Sequence, residues 1–352
     1  MTRLPLKTIL IQLFKDLVGK DVYRGTTQTY TLLANQFGHF ALGFIPATFI
    51  YMSCHCARPA GNGPWLWVGI SWTVFEILNY LYSIIRFWKK VNKLGGLGKF
   101  PFKPSSKGLI FDTIADMGFF WLGAICAGTI FFPSPSLKCL FAALLIVFTC
   151  IFFYWYIVKI YVQEALFPFH YRLSQWVNRI STENAAKALA FRDEKKGVKH
   201  LLIFGHTIPE KTSLSIGIAT EMAFNRKSCL YITALKLFPM LGEKISDSNH
   251  SLDIRSVWTW RDISVLVVDD IDLSHSGKDE VHTATEFYNK IDHEIYAEKN
   301  KAALCSKNVI WILGDDNDCS HNEKQWREEL LLKMGVAPEN ITCIHLKKDT
   351  DN

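Results

Sequence analysis

Apolar and polar positions follow two different patterns along this chain, and the change falls near its middle. Up to about residue 163 the apolar positions form long blocks; from about 198 they form short runs separated by amphipathic stretches. A helix needs roughly 20 apolar residues to cross a hydrocarbon core. Four blocks qualify, at 36–56, 65–88, 111–132 and 138–162. Trp65, Trp67, Trp88, Trp155 and Tyr156 fall near block ends, where amphipathic rings favour the membrane–water interface. Residues 36–163 are therefore expected to form an α-helical membrane domain of four transmembrane helices. No signal-peptide cleavage pattern precedes the first block, so all four are expected to persist. Ahead of them, in an N-terminal segment 1–35, Leu6, Ile9, Leu10, Leu13, Phe14 and Leu17 recur at helical spacing, with Lys7, Lys15 and Asp16 elsewhere on the wheel. That spacing predicts an amphipathic helix, lying on the inner leaflet or docked on a partner subunit.

The second half reads differently. The runs 198–204, 229–233, 263–270, 308–314 and 341–346 are predicted strands, and 211–224, about 279–299 and 323–334 are predicted helices. Such alternation predicts an α/β fold with a parallel five-stranded sheet covered on both faces. This domain spans 198–352, joined to the membrane half by a linker at 164–197. Residues 244–253 and 272–283 read as surface loops.

Charge fixes an orientation. The formal net charge of +6 is modest, but five basic residues precede the first block and seven (Arg86, Lys89, Lys90, Lys93, Lys99, Lys103, Lys107) lie between the second and third. Each of the other two loops has at most one. The positive-inside rule then places both termini and the α/β domain in the cytoplasm, with a bacterial inner membrane expected. The nine cysteines are scattered, which suits a reducing compartment; Cys54-His55-Cys56 is the one tight cluster and reads as polar punctuation at a span end. No sustained basic patch with interleaved aromatics is present, so nucleic acid is not an expected partner.

The loop after the first predicted strand reads Gly205-His206-Thr207-Ile208-Pro209-Glu210-Lys211-Thr212. This is the phosphate-binding spacing G-x-x-x-x-G-K-[ST] with Glu210 at the second glycine. Lys211 would contact the β- and γ-phosphates and Thr212 would help hold Mg²⁺. Val265 to Val268 followed by Asp269 and Asp270 has the form of a Walker B strand, with Asp269 at the metal and Asp270 at the attacking water. The fourth strand ends in Gly314-Asp315-Asp316-Asn317, which would put Asp316 towards a γ-phosphate.

These motifs resemble AAA+-like NTPases of the additional-strand class, particularly the helicase-loader and transposition-helper type, over about residues 198–320. The resemblance implies a P-loop NTPase-like sheet, ATP and Mg²⁺ as cofactors, Gly205, His206, Lys211, Thr212, Ser213 and Asp316 at the nucleotide, Thr212 and Asp269 at the metal, and Asp270 as the catalytic residue. Two departures weaken the site. Pro209 has no N–H to give a phosphate, and Glu210 brings a carboxylate where polyphosphate should approach. No helical lid follows, so an arginine would have to come from elsewhere, with Arg226, Arg255, Arg261 and Arg327 as candidates acting in trans.

Within the membrane half, Glu76, Asp112 and Asp116 are costly residues that invite a functional reading, Glu76 most of all because nothing nearby in sequence relieves its burial. Three functions stay open at this point. The first is an oligomeric membrane NTPase, binding ATP weakly or hydrolysing it to change the membrane part, as an effector of phage defence would. The second is a non-catalytic anchor recruiting a cytoplasmic protein partner, and the third is an oligomeric channel or transporter component.

Overall fold

The computed structural model describes residues 4–17, 28–55, 63–93, 95–96, 102, 106–176, 180–194, 199–205, 208–243, 257–271, 283–314 and 323–346. The chain divides into two compact units, one of residues 5–98 and 104–157 and the other of 1–4, 99–103 and 158–352.

The first unit is helical. It contains α1 (Leu6–Leu17), α2 (Gln28–His55), α3 (Gly63–Lys93), α4 (Ser106–Phe131) and most of α5 (Pro135–Gln163). Three helices are long and apolar enough to cross a membrane: α3, Leu109–Phe131 within α4, and α5. Their outward side chains are large and mostly apolar, as a lipid-facing surface would require; Val74, Phe75, Leu78, Tyr82, Ile114, Ile146 and Tyr154 are all more than half exposed. The first expected block lies in α2, a helix of 28 residues that packs against both α3 and α4. On α1, Leu6, Leu10 and Phe14 share one exposed face at spacings of four.

Small residues let α2 and α4 meet backbone to backbone. A Cβ on Gly43 would run into the carbonyl of Phe120, and a Cβ on Gly123 into that of Phe40. The two contacts are reciprocal, each glycine lying three residues beyond the carbonyl its partner presses on. Without water to drive apolar surfaces together, close packing of this kind is what holds membrane helices to one another. Trp72 stacks on Phe120 nearby (centroids 4.8 Å, interplanar 6°) and donates its Nε1–H to Leu42 O at 2.7 Å.

The second unit carries the sheet. Its elements are α6 (Thr182–Arg192), β1 (His200–Gly205), α7 (Ile208–Phe224), β2 (Cys229–Thr233), α8 (Ala234–Leu241), β3 (Val265–Asp269), α9 (Ala284–Asp292), α10 (Ala297–Ser306), β4 (Asn308–Ile312), a π-helical segment Trp326–Leu332, and β5 (Ile341–Leu346). The five strands are all parallel in the order β2-β3-β4-β1-β5. Every residue of β1, β3 and β4 is buried. Alternate residues of a strand point to opposite faces, so this burial means both faces are covered. Trp311 of β4 anchors one cover, contacting Phe287 of α9 (5.4 Å) and Trp326 (6.0 Å).

The structure departs from the pattern-based reading in three places. The segment 164–197 contains α6, whose start is set by Ser181 accepting from Asn184 N (3.2 Å), and it packs on the sheet unit. Arg172 from the same segment holds Glu221 of α7 with two bonds of 2.7 and 3.1 Å. The single helix expected at 279–299 is two, because α9 has its own Thr283/Glu286 capping box and closes at His293 before α10 begins. Helix α8 was not expected. The loops 244–253 and 272–282 lie outside the described residues, and Thr283 is the cap of α9.

The α2–α4 crossing sets a first expectation. Gly43→Leu or Gly123→Leu should destabilise the helical unit by about 1–3 kcal/mol or more, read as a lower thermal midpoint of the purified protein in detergent. Gly38→Ala, where a Cβ meets nothing within 4 Å, should leave that midpoint unchanged.

Candidate nucleotide site at the sheet's carboxyl edge

Strand β1 ends at Gly205 and α7 begins at Ile208, so a buried strand runs almost directly into a helix N-terminus. Such an end presents unpaired N–H groups and a partial positive charge. Pro209 occupies the first turn, where its missing N–H costs the helix nothing. Glu210 shares that turn, a position at which a carboxylate complements the helix dipole. The helix thus satisfies internally part of the field that an intact loop would offer to phosphate. Gly205 has a packing reason of its own, since a Cβ there would come within 2.9 Å of the Leu346 side chain on β5.

Lys211 and Thr212 follow on the buried side of α7. Lys211 is 3% exposed, and its Nζ donates to Leu313 O, just past the end of β4, at 2.5 Å. Thr212 Oγ1 donates to Asp269 Oδ2 at 2.8 Å, and both residues are buried. Tyr231 of β2 donates its hydroxyl to the same Oδ2 at 2.7 Å, and Asp270 N donates to Oδ1 at 2.8 Å. Asp269 is therefore held by α7, β2 and its own successor. Burial, and secondarily the Asp269 charge, push the Tyr231 phenol well above its ordinary range, so it remains a donor.

Asp270 turns the chain out of β3 with φ of 52°, a left-handed conformation that Asp tolerates better than most residues. Its carboxyl is pushed above the ordinary 3.8 by burial, with the Asp269 charge adding to the effect.

Among the expected site residues, the structure brings Thr212 onto Asp269, with Asp270 next in sequence, Lys211 next to Thr212 on α7 but bonded to Leu313 O, and Gly205 at the strand end. Ser213 is on α7 and half-buried. His206 and Asp316 lie outside the described residues, as does Arg255. Of the arginines considered for action in trans, Arg261 is occupied within its own chain. Its Nη2 donates to Met240 O and Leu241 O at 3.1 Å and to Glu243 O at 3.3 Å, closing the end of α8, while Nε donates to Asn300. Arg327 pairs with Glu323 at 3.1 Å. Trp258 and Trp260 pack in the sheet unit, Trp258 donating to Cys229 O and Trp260 lying under the Lys307 ammonium.

Tyr231 was missed by sequence reasoning. The signal was its alternation along CLYIT, which sets it on the same side as Thr233, the residue registered with Asp269.

The acidic residues of the helical unit separate into two environments. Asp112 is exposed and borders a cavity of about 640 Å³ walled mainly by Phe37, Phe40, Phe119, Phe148 and Trp155. Glu76 is buried, and one carboxylate oxygen of it lies with His39 and a carboxylate oxygen of Asp116 in a cluster whose ligand atoms are all within 4.8 Å of one another. Gln36 Nε2 donates to Asp116 Oδ1 at 3.2 Å, and Asn79 Nδ2 to Glu76 Oε2 at 3.4 Å. The burial of Glu76 is thus met in part from close by in sequence, by Asn79, contrary to the pattern-based expectation, and in part by His39 across the bundle; His39, Gln36 and Asn79 are the members the linear reading did not single out.

No protein-family model and no curated protein matches the chain. The fold itself defines the class: long apolar helices compatible with a multipass membrane protein, together with a parallel α/β unit.

Two outcomes follow from the Asp269 cluster. Tyr231→Phe leaves a buried carboxylate one donor short and should cost about 1.5–3 kcal/mol, measured as a lowered unfolding midpoint. For Asp270 the raised native pKa means that the folded state holds its proton more tightly than the unfolded chain. That stability is present below the ordinary value and is lost as pH rises through the raised one. Asp270→Asn, which keeps the left-handed turn, should remove this loss. Thermal midpoints of the variant and wild type should diverge in the variant's favour from pH ~4 upward and then run parallel.

Proposed function

We propose that this is a four-span membrane protein whose α/β domain is a cytoplasmic nucleotide switch of P-loop type. It takes ATP with Mg²⁺ at the carboxyl edge of the sheet, turns it over slowly or not at all, and in the bound state sets how chains assemble in the membrane. One observation carries the reading: a helix entering from β1 delivers a buried lysine and, next to it, a threonine hydroxyl 2.8 Å from the acid that ends β3. Ligands of open α/β sheets bind outside the carboxyl ends of the strands, where these residues lie. The strand order adds support, because β4 sits between β1 and β3, the placement from which the additional-strand class takes its name.

The donor set suits the cofactor. A hydroxyl and a carboxylate are the hard oxygen ligands that Mg²⁺ prefers, and Thr212 and Asp269 would hold it. Bound MgATP would supply a cluster of negative charge bridged by a divalent cation. Lys211 would exchange the Leu313 carbonyl for phosphate oxygen, a stronger charge-assisted bond. Asp270, beside the metal-holding acid, is placed to orient water. Glu210 and Pro209 work against all of this, the first by like charge and the second by removing a donor, which is why slow turnover is part of the proposal.

The membrane arrangement rests on the long apolar helices α3, α4 and α5, on α2 packed against α3 and α4, and on the basic residues that flank them. An even number of spans with both basic segments on one side puts the termini and the nucleotide site in the cytoplasm.

The test is nucleotide binding by the purified full chain. Wild type should bind MgATP, Lys211→Ala should weaken binding at least tenfold, and Glu210→Gly should tighten it about tenfold, or ~1.4 kcal/mol. Absence of binding in both wild type and Glu210→Gly would reject the switch and leave a scaffold domain.

A further inference from the structure

We infer that the helical unit holds a divalent metal ion, of the Zn²⁺ or Co²⁺ type, between α2, α3 and α4, with His39, Glu76 and Asp116 as its ligands. Each ligand comes from a different helix, and each offers one atom to a common point. The His39 Nε2 to Asp116 Oδ1 separation is 3.3 Å. A tetrahedral ion with bonds of ~2.0–2.1 Å has ligand–ligand edges of about 3.3–3.4 Å, so this pair is already at bonding separation. The Glu76 carboxylate, within 4.8 Å, needs only a side-chain adjustment to close on the same point.

Charge balance favours an ion of two positive charges. Among the described residues the ionisable neighbours of Asp116 are His39, Asp112 and Glu76, none of them a lysine or arginine. Two carboxylates in a bundle with apolar outer faces carry a heavy desolvation cost. A divalent ion bound by two carboxylates and a neutral imidazole leaves no net charge.

A second, independent observation concerns Gln36. It is only 8% exposed, its amide group lies at the cluster through the 3.2 Å bond to Asp116, and its Oε1 has no hydrogen-bond partner among the described residues. A buried carbonyl oxygen without a donor is uncommon, and on an amide already bonded to Asp116 it is a candidate fourth ligand. The donor set of one nitrogen and hard oxygens suits Zn²⁺, Co²⁺, Mn²⁺ or Fe²⁺ and excludes ions that select sulfur. Tying three helices to one ion would lock the close α2–α4 crossing and set its response to metal.

The experiment uses full-length protein in detergent, stripped with chelator, loaded with Co²⁺ and freed of excess metal by gel filtration. Wild type should retain about one Co²⁺ per chain, with the visible absorption of a low-coordinate nitrogen–oxygen site and no thiolate charge-transfer band. His39→Ala, and separately the near-isosteric Glu76→Gln, should each reduce retained metal at least tenfold, while Asp112→Asn keeps it. Glu76→Gln preserves shape, so a loss there in monodisperse protein supports the site even if His39→Ala fails to fold. Equal retention by wild type and Glu76→Gln, no retention by wild type, or a thiolate spectrum unchanged in the variants would overturn the inference.

Discussion

The carboxylate of Asp269 is the point on which the sheet's carboxyl edge is organised. It is buried at the end of a strand whose every residue is buried, where an acid survives only if its lone pairs are filled. Three donors meet most of them, from Thr212, Tyr231 and the Asp270 backbone. Each comes from a different place: the helix after β1, the neighbouring strand β2, and the turn that leaves β3. Satisfying one buried charge therefore fixes the height of α7 against the sheet and the path of the chain beyond β3. The left-handed turn at Asp270 then takes the chain out of β3 just beyond that N–H. Lys211 is placed as a by-product, one position before Thr212, with its ammonium directed to the Leu313 carbonyl.

That dependence explains what the linear sequence disclosed. The strands were legible because runs such as VLVVD and CLYIT are short, β-branched and bounded by turn residues, and their observed limits lie within two residues of the runs read from pattern. Thr212 and Asp269 were legible through spacing alone. Tyr231 was not, because a tyrosine in a strand is ordinary and its role arises only from lateral register between β2 and β3. The split between α9 and α10 was also hidden. A continuous amphipathic pattern says nothing of where one helix caps itself, and there the Thr283/Glu286 pair decided the start. Helix α8 escaped notice for a related reason: its end is closed by Arg261, twenty residues further on, rather than by a local signal.

In the helical unit, too, side-chain convergence is hidden from the linear pattern. Hydropathy identifies segments but is blind to which faces meet. The reciprocal contacts of Gly43 and Gly123 bring α2 so close to α4 that Gln36 and His39 reach Asp116, and α3 adds Glu76 from the third side. Read along the chain, Asp112 and Asp116 looked alike, four residues apart on one helix. Packing distinguishes them, leaving one beside an apolar cavity and drawing the other into a polar cluster.

The two units thus solve one problem twice. Each buries carboxylates that would be prohibitively costly alone, and each meets the cost by converging polar groups from elements far apart in sequence. The solutions differ in how complete they are. Asp269 accepts three hydrogen bonds from neutral donors of its own chain, so most of its acceptor capacity is met without a ligand. The cluster in the helical unit is less complete by the same count: two carboxylates share one imidazole and two amide N–H groups, and among the described residues the Gln36 carbonyl has no donor. A buried polar network that is only partly satisfied is costly. The asymmetry places the stronger intrinsic demand for a cation in the bundle rather than at the sheet, which is the reverse of what motif spacing alone would suggest.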